Sequence, residues 1–162
     1  MSGRSDVAVT DRVFASLAYL LPIMDVFKFG LSIFDILPFF KDIYIFLLPV
    51  IRIYLGSGFG SFAIFLLLYF LVLRNQSISR FIRFNVLQAV MLGILISLYS
   101  IAVTYLLNPI LGADSSLISV VSKVIFLGTW AICAFGIISS GMGKYAEVPQ
   151  LSENTHFMVD RM

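Results

Sequence analysis

The sequence predicts an all-α, polytopic integral membrane fold, and three observations predict it. Hydrophobic residues make up 60% of the 162 positions and charged residues only 12%, with a mean hydropathy of +1.01. That balance is too apolar for a chain solvated as an ordinary globular domain. The apolar residues come in long continuous runs rather than in strand-like alternation. The charges gather where those runs end: Arg74, Arg80 and Arg83 fill one connection, Lys144 follows the last run, and the connection between the last two runs holds only Asp114. The chain reads as a single membrane domain over 1–162, with room for several spans but not for a separate soluble catalytic domain.

The first span is expected at about 13–28. It starts cleanly at Val13, yet Pro22, Asp25 and Lys28 interrupt it, so it reads as short and broken. The residues before it carry Asp6 and Asp11, and no small-residue cleavage site follows it, so it does not read as a transit or signal peptide and is expected to be retained.

The next segment, 36–55, is apolar in bulk but holds Lys41, Asp42 and Arg52, with Pro38 and Pro49 near its ends. It could cross, dip into the bilayer or lie flat. Ile43, Phe46, Leu47, Val50, Ile51 and Tyr54 recur at helical spacing, but Ile45, Leu48 and Ile53 make the other face apolar too, so periodicity does not decide.

A second span is expected at about 57–74. Its apolar core, Gly60 to Leu73, reaches full bilayer thickness only if the helix starts back near Gly56, and the cluster Gly56, Gly58 and Gly60 reads as a flexible entry. The third and fourth spans, 84–107 and 118–140, are the clearest, each long enough at about 1.5 Å per residue to cross a hydrocarbon core of roughly 30 Å. Residues 144–162 read as a short polar tail.

Basic residues favour the cytoplasm-like side of a membrane, which puts the arginine connection and the C-terminus there. If 36–55 does not cross, four spans place Arg4 and Arg12 on the same side, and all the basic ends agree. A fifth crossing would reverse the N-terminus. The sequence is therefore read as four transmembrane helices plus an interfacial or re-entrant helix around 36–55.

Lipid gives apolar helices no hydrophobic reason to associate, so small residues and internal hydrogen bonds must hold them. Ala89, Gly93 and Ser97 fall four apart on one face of the third span, and Gly136 with Ser140 repeats the spacing in the fourth. These are expected helix-packing positions, within one chain or in a homo-oligomer. Asn85 and Gln88, three apart, share a face and can hydrogen-bond to a neighbouring helix. With Asp25, Arg80 and Arg83 they form the candidate polar seam or partner contact. Asp25 has possible partners in Lys28, Arg80 and Arg83; the arginines can equally anchor topology against lipid phosphates.

Other chemistries are poorly supplied. A net charge of +2 without a basic stripe argues against nucleic acid. Cys133 is the only cysteine and lies inside an apolar run, where it reads as a small packing residue; the only histidine, His156, reads as a solvated tail side chain. No nucleophile elbow, HExxH, intramembrane carboxylate pair or phosphate loop is present, so no enzyme activity, metal or cofactor is expected.

Four stretches together carry a resemblance: Tyr19-Leu20-Leu21-Pro22 with Asp25; Leu68-Tyr69-Phe70 leading to Arg74-Asn75; Ile78-Ser79-Arg80-Phe81-Ile82-Arg83-Phe84-Asn85 with Gln88-Ala89; and Lys144-Tyr145-Ala146-Glu147-Val148-Pro149 with Leu151-Ser152. Nearly end to end, the chain resembles the twenty-kilodalton subunit family of the translocon at the inner envelope membrane of chloroplasts, in its cyanobacterial or plastid-encoded form. Gly93 departs from the acid expected at that place in many relatives. The resemblance implies a four-helix protein of the plastid inner envelope or a cyanobacterial membrane, with both termini on the stromal or cytoplasmic side. It implies association with other translocon membrane subunits and with precursor polypeptides, to which the protein gives a conduit or a scaffold. The competing expectation is a small carrier or channel for a solute or ion, built on Asp25, Gln88, Thr104 and Lys123.

Overall fold

The computed structural model describes residues 7–57, 59–145 and 151–162. The glycine cluster's Gly58, the basic Arg4 and the stretch 146–150 of the tail motif lie outside the described residues. Among those described, the chain is helical without strands.

Helix α1 (Val9–Ala18) breaks at Tyr19 and resumes as α2 (Leu20–Asp25), followed by a tight turn over Phe27–Phe29. Pro22 explains the break, because it lacks the N–H that would have bonded the Ala18 carbonyl of a continuous helix. Helix α3 (Pro38–Gly56) begins on a proline, whose missing N–H costs nothing in a first turn. Helix α4 (Gly60–Leu68) ends in a wider turn over Tyr69–Leu73, closed by the Arg74 N–H donating to the Tyr69 carbonyl at 3.0 Å.

The Ser79 hydroxyl caps helix α5 (Arg80–Ala102), accepting from the Ile82 N–H at 3.3 Å. The helix continues through a wide turn at Val103–Leu107 into α6 (Asn108–Leu111). That turn lies where the Pro109 ring would otherwise strike the carbonyl four residues earlier. Helix α7 (Ser116–Gly141) stops at Gly143, whose φ of 72° suits a residue without a side chain. There the Lys144 N–H returns to the Ser139 carbonyl and the Gly143 N–H to Ser140, both at 2.9 Å. Helix α8 (Leu151–Arg161) occupies the stretch expected to be a polar tail.

Among the described residues, two helices are long and apolar enough to cross a membrane: the 32-residue α5–α6 rod, Arg80–Leu111, and the 26-residue α7. The helix pair α3 and α4–Leu73, bent by 90°, reaches that standard only when taken together. The span expected at 57–74 corresponds to α4 with the turn after it, which by itself is shorter than this standard. The bend falls between the end of α3 at Gly56 and the start of α4 at Gly60.

The core is built from α1, α2, α5 and α7. Gly136 of α7 lies under the Tyr19 ring so closely that a β-carbon would overlap it. One turn on, Ser140 Oγ meets Ser16 Oγ at 3.0 Å. The Gly136 and Ser140 pair therefore packs within the chain, against α1 and α2. On the opposite flank an aromatic cluster ties α3 to α7: Tyr44 lies between Phe27 at 5.0 Å and Trp130 at 5.9 Å, its hydroxyl donating to the Ile23 carbonyl at 2.7 Å and accepting from the Trp130 indole at 3.0 Å. Cys133 is fully buried beside these helices, as its apolar setting implied.

Replacing Gly136 by Leu should cost about 1–3 kcal/mol through overpacking against Tyr19. The equally helical Gly128, with open space around its missing side chain, should accept Ala with little change. Unfolding in mixed micelles distinguishes the two, and equal loss at both positions would contradict this packing.

Candidate functional site

The Tyr19 side chain joins three helices. Its hydroxyl donates to Asn85 Oδ1 at 2.9 Å and accepts from Gln88 Nε2 at 3.2 Å, while Asn85 Nδ2 donates to the Phe81 carbonyl of its own helix at 2.9 Å. Tyr19, Asn85 and Gln88 are all fully buried. Asn85 is thus an interior residue. The shared face read from the i, i+3 spacing is real, and its partner is the tyrosine at the break of the first helix. Nothing local in the sequence joins residues so far apart.

At the start of α5 the two arginines hold α8. Arg83, 8% exposed, donates through Nε to the Leu73 carbonyl at 3.0 Å and through an Nη to the Val159 carbonyl at 3.3 Å. Both carbonyls lie at helix C-termini, where backbone dipoles favour a cation. Arg80 is more exposed. Its Nε donates to Asp160 at 2.8 Å, it meets His156 Nδ1 at 3.2 Å, and its guanidinium faces the Tyr145 ring at 5.6 Å.

Beneath lies an aromatic bed, with the His156 ring 4.3 Å from Phe84 and Tyr145 packed edge-on to Phe81 and Phe84. His156 is therefore a packed, half-buried residue and not a solvated one. Thr155 and Val159, four apart, form the buried stripe of α8, and the Thr155 hydroxyl reaches Met91 Sδ at 3.5 Å. That i, i+4 pair was the signal available in the sequence, hidden by the polar residues around it.

Asp25 stands apart from both groups. Neither Arg80 nor Arg83 reaches it. Lys28 turns to the Ser100 hydroxyl and to the Phe29 ring at 5.2 Å. The carboxylate interacts with the Tyr54 hydroxyl of α3, which sequence reasoning did not pair with it, while Lys28 acts on it only through space. It lies against Gly93, where a β-carbon would come 2.9 Å from Oδ2. Ala89 is buried beneath the same helix face and Ser97 is exposed on it. Asp25, Tyr54, Gly93 and Ser97 line a cavity of about 350 Å³ that opens between α4 and α5.

The carrier set is scattered: Thr104 is exposed in the wide turn after α5 with its hydroxyl donating to the Ser100 carbonyl, about 24 Å along the rod from Gln88. No cluster of three or more metal-ligating side chains occurs among the described residues.

These features define a small polytopic α-helical membrane protein whose polar groups bind its own helices together. The chain belongs to the chloroplast import apparatus Tic20-like family, whose model it matches over residues 9–155. It is 37% identical over 159 residues to a Tic20 family protein of Synechocystis sp., covering 98% of this chain and 99% of that protein. It is 32% identical over 165 residues to the Tic20 family protein Ycf60 of the red alga Gracilaria tenuistipitata, covering 96% and 78%. To the Arabidopsis thaliana protein TIC 20-II, chloroplastic, it is 28% identical over 146 residues, covering 89% and 70%.

Two outcomes follow from the geometry. Tyr19→Phe removes one hydroxyl that bonds both Asn85 and Gln88, so it should destabilise the bundle by about 1–3 kcal/mol in micelle unfolding, far more than Tyr105→Phe at an exposed position.

The second concerns pH. The hydrogen bond from Arg80 holds the Asp160 carboxyl below its usual range. A depressed pKa in the folded state means that this contact favours docked α8 above the ordinary carboxylate pKa and is lost as pH falls through the depressed value. A nitroxide at Asn154, read by electron paramagnetic resonance, should gain mobility over that acid step. In Asp160→Asn the label should be more mobile at neutral pH and lack the step.

Proposed function

We propose that this protein is a non-enzymatic membrane subunit of a protein translocon, which provides precursor polypeptides with a route by scaffolding other membrane subunits. The observation that carries the reading is the family match over nearly the whole chain, joined to a bundle whose outward faces on α3, α4 and α7 remain strongly apolar. Phe46 and Ile53 of α3 are 83% and 80% exposed, and Leu67, Phe70, Val124 and Ile138 also face outward. Such a surface needs lipid or other membrane helices against it.

The topology we propose has four crossings, α1–α2, α4, α5–α6 and α7, with α3 interfacial or re-entrant. Both termini lie on the stromal or cytoplasmic side of the plastid inner envelope or of a cyanobacterial membrane. Support comes from one end of the bundle, where Arg12 lies beside Gly143 at the end of α7 while Arg80 and Arg83 hold α8. Arg12, Arg80 and Arg83 thus gather at a single end, the pattern the charge rule favours for a cytoplasm-like side.

Photoreactive side chains at Phe46, Leu67 and Ile138, used in native membranes with an arrested precursor, test the reading. Adducts to membrane subunits and to the precursor are expected. Labelling of lipid alone at all three positions, together with saturable solute uptake by the purified protein, would favour the carrier instead.

A further inference from the structure

The Asp25 cavity is not a closed pocket. A second cavity of about 620 Å³ lies between α1, α4 and the start of α5, and the two share Leu21, Ile64 and Leu68. Together they form one groove along α5 from Ile82 to Ser97, about 22 Å at the helical rise. The groove exists because α4 buries none of its own side chains; only the turn after it places one, Leu73, in the core. Its walls are apolar and its mouth faces sideways, into what the topology makes lipid.

A carboxylate is a costly lining for such a groove. Asp25 has no Lys, Arg or His nitrogen within 4.0 Å among the described residues, because its near neighbour Lys28 is turned to Ser100. Tyr54 supplies it with a hydroxyl but no charge, and the Lys28 ammonium acts on it only through space, without contact. At the other end the groove carries a second acid, Asp11. A lipid acyl chain would set hydrocarbon against the carboxylate, and an anionic headgroup would be repelled. A cationic side chain on an apolar body satisfies both the walls and the acid. The sideways mouth admits an occupant already in the membrane plane, and a length of about 22 Å suits several turns of helix.

We propose that this groove is the docking site for a transmembrane helix of a partner subunit that carries one basic residue near mid-membrane, paired with Asp25. The proposal rests on the translocon reading and adds the site and the chemistry of one of its contacts. The lack of a side chain at Gly93 belongs to the same design, since it leaves the space that the Asp25 carboxylate occupies.

The test uses the purified full chain in phosphatidylcholine vesicles, with three fluorescent 21-residue Leu/Ala peptides carrying Lys, Gln or Glu at the centre. A benzophenone side chain at Leu98, exposed on the groove wall, reports occupancy. The Lys peptide should bind at least tenfold more tightly than the Gln peptide, the Glu peptide more weakly still, and benzophenone adducts should be to peptide. Asp25→Asn should reduce the Lys peptide to the level of Gln. Ser97→Leu, which fills the groove from an exposed position, should weaken Lys and Gln peptides alike.

Equal binding of Lys and Gln peptides, a Lys preference that survives Asp25→Asn, or lipid-only adducts at Leu98 would each overturn the proposal. The three-peptide comparison on the unaltered chain decides it even if the Asn variant fails to fold. Because no precursor or native membrane enters, failure here alongside precursor adducts in native membranes would remove the docking site and leave the translocon reading standing.

Discussion

Tyr19 fixes the bundle because it meets two demands at one place. In lipid, a polar group that leaves its partner finds no water to replace it, so a break in a helix and an amide on a helix face must each be answered inside the protein. The chain breaks at Tyr19, ahead of Pro22. The side chain at that break turns inward, its ring over Gly136 and its hydroxyl between Asn85 and Gln88. One residue therefore sets the distance between α2 and α7 through ring thickness and the register between α2 and α5 through hydrogen bonds. Gly136 is small for the first reason, and Asn85 and Gln88 are amides for the second.

A second constraint acts at the basic end. Arg83 is almost wholly buried at the first turn of α5, where the helix dipole offers a cation nothing. It is tolerated because the C-termini of two other segments converge on it, through the carbonyls of Leu73 and Val159. The planar guanidinium reaches the two carbonyls from two separate nitrogens held in a fixed plane, whereas a lysine would have to serve both from a single nitrogen. Arg83 thereby couples the end of α4 to the docking of α8, so these two elements are set against α5 by the same side chain. Arg80, more exposed, adds a contact to Asp160 that water and salt attenuate.

What the sequence revealed follows the range over which each interaction acts. The α5–α6 rod and α7 were readable because length and hydropathy are properties of a single segment; the structure extends the first by four residues at each end and the second by two and one. The common face of Asn85 and Gln88 was readable from local spacing, whereas Tyr19 as their partner was not, since 66 positions separate Tyr19 from Asn85. For Asp25 the sequence left Lys28, Arg80 and Arg83 open as partners, whereas the side chain packed beside it is Tyr54 from α3. Helix α8 was missed because its mean composition is polar; the buried side chains among its described ones are Thr155 and Val159, and the contacts of this stripe with Arg83 and Met91 come from another segment. The division of 36–74 into α3 and α4 reflects charges and glycines whose consequences depend on the bilayer as well as the chain.

The distribution of satisfied and unsatisfied surface then separates two parts of the molecule. In the part made by α1, α2, α5, α7 and α8, amides, hydroxyls and Arg83 are tied to one another, and Gly136 leaves no slack. In the part made by α3 and α4, aromatic contacts hold α3 near Tyr44, while α4 presents apolar side chains outward and leaves a groove beside α5. A self-contained carrier would need its polar groups to converge on an internal path. Here Tyr19, Asn85 and Gln88 are spent on holding helices, and Asp25 faces the opening beside α4 instead. Polar groups turned inward for cohesion and apolar faces turned outward are the arrangement expected of a subunit that works by contact with other membrane helices.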